Sequence, residues 1–257
     1  APRPVDDLPL RGAALGAGRR RNAQVMTKRL KELKAQKGRF RVLKRCKLDV
    51  ARILKTGGVL ALTYGQETMG VSPTMLLAQR RLTAGLLVTR GSGDLDLRLA
   101  LADGSGRAKV DPAFPAHLAP IGAWAEAAWC RWLPHGTLRE LMRKTVNRFD
   151  SGVKWSMVRG PAAACYASAT RLGWVFTTAF VITTDVGQRL HLLRDSPAFV
   201  KMRVSEAVTR WRSRAIEVKF PALSSEGRGD GPHLFPVLSL MSKVSRDDEW
   251  TWEHRGA

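Results

Sequence analysis

Residues 19–55 read RRRNAQVMTKRLKELKAQKGRFRVLKRCKLDVARILK, and the fold class follows from this stretch. Val25, Met26, Leu30 and Leu33, then Leu43, Cys46, Val50 and Leu54, recur every three to four residues, the spacing of two amphipathic helices with a break at Gly38. Fifteen Lys/Arg stand here against Glu32 and Asp49, so this one segment holds a net +13 of the whole chain's +21. A helix pair with one face buried and the other of a single sign is built to dock on a folded body and present cations outward. Solubility alone would be served by mixed signs. The expected partner is therefore a polyanion, RNA or DNA, contacted through its phosphates.

The rest of the chain supplies that body. At 257 residues and 44% hydrophobic it can bury a sizeable core, as one large domain or two small ones. Cys46, Cys130 and Cys165 form no CxxC pair or even-numbered framework, which points to reduced thiols in an intracellular setting. The most apolar run, Gly173–Thr183, is too short for a membrane helix, which needs about 20 residues, and Ala1–Gly18 reads as an extended Pro/Gly/Ala arm. No membrane partner is expected.

Outward from the basic stretch, Thr56-Gly57-Gly58 predicts a helix stop, and Val59–Gly65 reads as helix or strand. Ser72-Pro73 opens a helix to about Leu87, with Leu76, Leu77, Leu86 and Leu87 inside and Arg80 and Arg81 outside. Leu95–Leu101, LDLRLAL, alternates as a strand would, with a short helix as the other reading, and Pro112, Pro115 and Pro120 predict a loop. Ile121, Trp124, Ala128 and Trp132, widened by Trp129, give the helical stripe expected at the centre of the core. Thr137–Glu140 fits a capping box for a helix with Arg139, Arg143, Lys144 and Arg148 outside. Gly160-Pro161 opens a helix of small residues. Trp174–Thr184, a turn at Asp185–Gln188 and a return at Arg189–Leu193 predict a two-stranded hairpin. Ser196-Pro197 opens the last helix, with Val200, Val204, Ala207, Val208, Trp211 and Ala215 inside and Lys201, Arg203, Arg210, Arg212 and Arg214 outside. The fold class is mainly α: a helical bundle-like body with one small β-hairpin.

Signals for catalysis are sparse. Asp103, after the LDLRLALA run, superficially fits the first-strand aspartate of an RNase H-like, metal-dependent nuclease, but a proline-rich stretch and a Trp-rich helix follow where antiparallel strands should. Gly104–Lys109 lacks phosphate-loop spacing, and the five histidines are far apart in sequence. No catalytic residue, metal site or cofactor is expected.

The motifs carry a resemblance. Arg19–Arg21 with the basic helix, Leu54-Lys-Thr56-Gly57 and Ala61-Leu-Thr-Tyr64-Gly65-Gln-Glu67-Thr-Met-Gly70-Val71-Ser-Pro73 resemble the region after the palm in reverse transcriptases of non-LTR retrotransposons. Leu95-Asp-Leu, Leu101-Ala-Asp-Gly104, Asp111-Pro-Ala-Phe114, Ala119-Pro-Ile-Gly122, Gly160–Ala164, Arg171-Leu-Gly-Trp174 and Leu193–Pro197 are similar to retroelement-like reading frames of dinoflagellates, over about residues 18–256. No Tyr-x-Asp-Asp occurs, so the polymerase carboxylates have no counterpart here. The resemblance implies a thumb-like basic region at 19–90 and a helical connection at 91–220; composition adds the arm at 1–18 and a Ser/Gly/Pro-rich linker and tail at 221–257 with Trp250 and Trp252 near its end. It also implies a nuclear setting and a non-catalytic grip on a template–primer duplex. The contact residues expected for that grip are Arg19, Arg20, Arg21, Lys28, Arg29, Lys34, Lys37, Arg39, Arg41, Lys44, Arg45 and Lys47, with Arg143, Lys144, Arg210, Arg212 and Arg214 as secondary contacts. The alternative expectation is docking onto a larger polyprotein or ribonucleoprotein.

Overall fold

The computed structural model describes residues 23–87, 94–104 and 109–221, together with the backbone of two paired antiparallel strands, β1 (Pro9–Leu10) and β2 (Ala13–Ala14). The remainder of the arm, Arg19–Arg21, and the linker and tail with Trp250 and Trp252 lie outside the described residues. The chain is mainly α.

The basic helices are α1 (Gln24–Ala35) and α2 (Lys37–Arg45). The break falls at Gln36, whose N–H donates to the Leu33 carbonyl at 3.1 Å, and the expected breaker Gly38 is taken up into α2. Met26 and Leu33 are buried as expected, whereas the buried residue of α2 is Phe40. Cys46 is exposed, because α2 stops at Arg45 and Lys47 turns the chain with a φ of 56°. Lys34, Lys44 and Arg45 occupy last turns, where cations complement the helix dipole.

Asp49 caps α3 (Val50–Ile53) by accepting from the Arg52 N–H at 3.1 Å. The stop expected at Gly57-Gly58 is not made. The helix loosens into a π turn (Leu54–Val59) and continues as α4 (Leu60–Thr63), so the run after Gly58 is helical. A Cβ on Gly58 would lie 2.6 Å from Leu54 Cδ1 and 3.3 Å from Leu33 Cδ1, so the bare Cα lets α1 lie against the π turn. Leu33, Phe40, Val50, Leu54, Leu62 and Leu86 join in the apolar cluster beneath the basic helices. α5 (Gln66–Met69) runs between Gly65 and Gly70, both with positive φ, and a side chain at Gly70 would meet Trp155 at 3.2 Å.

α6 (Pro73–Leu87) starts as expected, with Ser72 Oγ accepting from the Met75 N–H at 3.3 Å, but Leu77 lies at the surface and Arg80 is buried. The LDLRLAL run is α7 (Leu95–Gly104), a helix. Asp94 decides it, since its carboxylate accepts from the N–H groups of Asp96 (2.8 Å) and Leu97 (3.2 Å). The expected proline loop is instead the start of α8 (Ala113–Trp129). Pro112 holds the cap position and Pro115 the first turn, where an N–H has no helical partner to lose; Pro120 alone is interior. Ile121, Trp124 and Ala128 are buried in the core as expected. Trp129 and Trp132 are not, at 43% and 61% exposure, because the helix ends there and Arg131 turns the chain with a φ of 53°.

α9 (His135–Arg148) begins two residues before Thr137, so the expected capping box is not formed. α10 (Pro161–Arg171) opens at Gly160-Pro161 and buries Ala163, Ala164, Cys165 and Ala167. The expected two-stranded hairpin is a three-stranded sheet: β3 (Val175–Thr178), β4 (Val181–Thr183) and β5 (Arg189–His191), antiparallel in that order. The Trp174–Thr184 run folds back on itself at Ala179-Phe180, and Ile182 pairs with both Phe176 and Leu190. α11 (Pro197–Lys219) is capped by Ser196 Oγ, which accepts from the Phe199 N–H at 3.3 Å. It packs along α8, and Trp124, Trp174, Ile182, Leu190, Val204 and Val208 meet in the main core. Among the described residues no helix is long and apolar enough to cross a membrane.

Candidate nucleic-acid interface

The α1–π-turn unit turns Met26, Leu33, Phe40, Val50 and Leu54 inward, and its cations necessarily take the other side. Lys28, Lys31, Lys34, Lys37, Arg39, Arg41, Arg45, Lys47, Arg52 and Lys55 are all exposed. None of these ten has a carboxylate within 4.0 Å among the described residues. Two expected contacts are employed elsewhere. Arg29 is half-buried, donates to the Tyr64 carbonyl and lies 5.2 Å over the Tyr64 ring. Lys44 donates to the Leu87 carbonyl at the end of α6, and burial, aided by the charge of Arg98, pulls its ammonium below the usual range. Arg19, Arg20 and Arg21 lie outside the described residues.

The secondary contacts each have a carboxylate partner; Arg143, Lys144 and Arg214 are exposed as expected. Arg143 donates to both Glu140 oxygens (2.8 and 2.7 Å) and Lys144 lies 3.6 Å from the same carboxylate; the Arg143 hydrogen bonds are the main reason Glu140 is held down at about 2. On α11, Arg210 and Arg214 both bind Asp185, whose remaining contact is the Trp174 indole N–H at 3.1 Å. Burial works to raise the Asp185 carboxyl, but these donors outweigh it and hold it at about 2. Lys201 pairs with Glu126 and Arg203 with Glu206. Arg212 is a correction: it was expected outside and is 3% exposed. In this fold it cannot reach a phosphate.

Arg212 belongs to a buried ion network that sequence reasoning missed. Arg80, 4% exposed, donates to Asp96 at 2.7 Å and to each of the two oxygens of Asp111 at 2.9 Å. Arg212 binds Asp103 and lies 3.5 Å from Asp111. Burial works to lower the Arg80 guanidinium, yet Asp111 and Asp96 together hold it above its ordinary value. Burial pushes the Asp103 carboxyl up, and Arg212 pulls it back only in part. Asp103 also accepts from the Val110 N–H at 2.6 Å, so the carboxylate weighed as a nuclease ligand is occupied in tying α7 to the segment that leads into α8 and to α11. Among the described residues no group of three or more His, Cys, Asp or Glu is arranged to hold a metal ion. No family model, curated protein or solved structure matches the chain.

One signal could have found the network. Val200, Val204, Val208, Arg212 and Ile216 are a single i, i+4 row of α11, all buried, as are Leu76, Arg80 and Ala84 on α6. An arginine inside an unbroken apolar row is a candidate buried charge, and its carboxylates then have to be sought.

Between α1, α2 and the π turn the basic surface opens into a cleft of about 280 Å³. Leu33, Phe40, Ile53 and Leu62 make its apolar walls; Arg29, Glu32 and Gln36 supply the polar side chains, and Gly57 and Gly58 leave backbone exposed to it.

Proposed function

We propose that this chain is a non-catalytic nucleic-acid-binding protein that grips RNA or DNA backbone through the exposed cations of α1, α2 and the segment to Lys55. The observation that carries this reading is a contrast. Arg143 and Lys144 on α9 and Arg203, Arg210 and Arg214 on α11 are matched by carboxylates, whereas the ten exposed Lys/Arg named above between Lys28 and Lys55 have no carboxylate within 4.0 Å among the described residues. Such a face exchanges condensed counterions for phosphate contacts and reads little sequence. The thumb-like role after a retroelement palm is part of the proposal and rests on the motif resemblance. A nuclear setting rests on the same resemblance and on the basic run.

The test is fluorescence anisotropy of the purified chain with short RNA, DNA and hybrid duplexes over a salt series. Replacing Arg39, Arg41, Arg45 and Lys47 by Gln should weaken binding on all sequences and flatten the log–log salt slope by about 3 to 4. Arg143→Gln/Lys144→Gln, which removes cations already matched by Glu140, should change the slope far less. Unchanged affinity and slope in the first variant would overturn the assignment. Exposed Trp129, Trp132 and Leu133 at the α8–α9 corner favour the second reading, docking onto a ribonucleoprotein. Absence of nucleic-acid binding even at low salt would select it.

A further inference from the structure

The cleft in the basic face has features that phosphate binding does not require. Glu32 is the sole acidic residue from Gln24 to Leu48, in a surface otherwise positive. Lys28, four residues before it on α1, is placed for an intrahelical pair. Yet no Lys or Arg nitrogen comes within 4.0 Å of the Glu32 carboxylate among the described residues. A carboxylate beside a bound polyanion opposes binding unless it meets donors. It lines the cleft with Gln36, one helical turn on, and with Arg29, which the Tyr64 carbonyl and ring hold in place.

The opposite wall points the same way. Two consecutive glycines inside a helix cost about 0.5–1 kcal/mol each relative to alanine. Gly58 is accounted for by Leu33 and Leu54, but a Cβ on Gly57 would meet nothing within 4 Å. Packing among the described residues therefore does not require glycine at 57. Its effect is to keep the cleft wall open, at a π turn, a distortion that recurs at functional sites. The volume, about 280 Å³, is at the small end of ligand sites.

We propose that this cleft receives an unpaired guanine of the bound nucleic acid, its plane against the apolar walls and its Watson–Crick edge toward Glu32. The choice of base follows from donor arithmetic. A carboxylate only accepts, through two adjacent oxygens. Guanine presents two adjacent donors, N1–H and the N2 amino group. Adenine and cytosine each pair one amino donor with a neighbouring ring acceptor that the carboxylate repels, and uracil flanks its one N–H with carbonyls. The site would read unstacked positions such as bulges, while the surrounding cations hold the backbone. This inference rests on the nucleic-acid reading above.

The experiment uses the full chain and a set of RNA duplexes carrying a single bulged G, A, C or U, with the fully paired duplex as reference, by anisotropy at fixed salt and over a salt series. Bulged G should bind about tenfold tighter than the other three. Gly57→Leu, which fills the cleft without changing charge, should make the four bulges equal and leave the salt slope intact. Glu32→Gln should lose most of the G preference while binding the paired duplex slightly more tightly, and it serves as the second variant if Gly57→Leu disturbs the fold. Equal binding of all four bulges by the unaltered chain, with a steep salt slope, would overturn the guanine site and leave backbone binding standing. No binding of any duplex at low salt would overturn both.

Discussion

Replacing Arg212 by methionine keeps an unbranched apolar stem but removes the guanidinium, a charge that lies between Asp103 and Asp111, with side-chain exposures of 7% and 0%. Breaking a buried pair from one side costs about 3–5 kcal/mol, because the remaining charge is left uncompensated. Here the lower half of that range applies, since Asp111 retains Arg80 and Asp103 retains the Val110 N–H. For a chain of this size about 3 kcal/mol corresponds to a fall of roughly 6–12 °C in Tm. The pH dependence sharpens the test. Burial already places the folded-state Asp103 carboxyl above its ordinary value, and losing Arg212 removes the main influence that lowers it. The folded variant then holds a proton that the unfolded chain has given up, so its stability relative to the unaltered chain falls as pH rises through that window. Urea midpoints at pH 4.5 and 7.5 should show the smaller deficit at 4.5. Adding Asp103→Asn should recover part of the loss at pH 7.5 and abolish the pH difference. A deficit under about 1 kcal/mol, or one equal at both pH values, would refute the buried network as the cause.

Gly57→Ala and Gly58→Ala should move stability in opposite directions: the first gains about 0.5–1 kcal/mol from helix propensity. The second loses about 1–2 kcal/mol by pressing on Leu54 and Leu33, so urea midpoints that shift together would contradict the packing at the π turn. Burial, aided by the Arg171 charge, holds His117 down at about 3 while its Nδ1 lies 2.6 Å from the Ala113 carbonyl. The neutral ring's contribution is complete above pH 6.5 and declines below it by up to about 1.4 kcal/mol per pH unit, and His117→Gln should flatten that limb of the stability profile. A thiol reagent should modify Cys46 and Cys130 in the native chain and reach Cys165, buried and with its thiol pushed up, only on unfolding; three rapid native reactions would place Cys165 wrongly.

How much was legible depended on where the deciding contact lay. Helix starts at Ser72-Pro73, Gly160-Pro161 and Ser196-Pro197 were readable because their causes sit within three residues of the boundary. The stripe of Ile121, Trp124 and Ala128 was readable from its period alone. LDLRLAL is ambiguous in sequence because its alternation suits a strand, and what resolves it is the Asp94 cap just ahead of the run. The proline stretch misled through counting prolines without position: two of the three fall where a helix forgoes an N–H. Of the candidate interface, Lys28, Lys34, Lys37, Arg39, Arg41, Arg45 and Lys47 lie where amphipathic spacing put them, exposed. Arg212 did not follow that rule, and Arg210 and Arg214, the latter exposed as expected, are tied to Asp185; their carboxylates lie 25 to 109 residues away in sequence, beyond any local pattern. Periodicity assigns a residue to a side of a helix but says nothing of what lies opposite. Glu32 was counted only as a deduction from the basic charge, and its cleft arises from the π turn, which no sequence pattern announced.

The reach of α11 also bears on how the chain acquires its shape during synthesis. Arg212 closes with Asp103 across 109 residues, and Lys219 with Asp94 across 125. At a translation rate of about 5–20 residues per second, Asp103 waits roughly 5–20 s for its arginine. Throughout that interval Asp96 and Asp111 have Arg80, which is already made, while Asp94 and Asp103 lack Lys219 and Arg212; α1, α2, the π turn and α6 have already left the peptidyl-transferase centre. The basic face is thereby assembled from residues translated early and the junction behind it from residues translated late. Nascent chains stalled before Ser196 should accordingly be cut by protease within 94–104 and protected there once α11 has emerged.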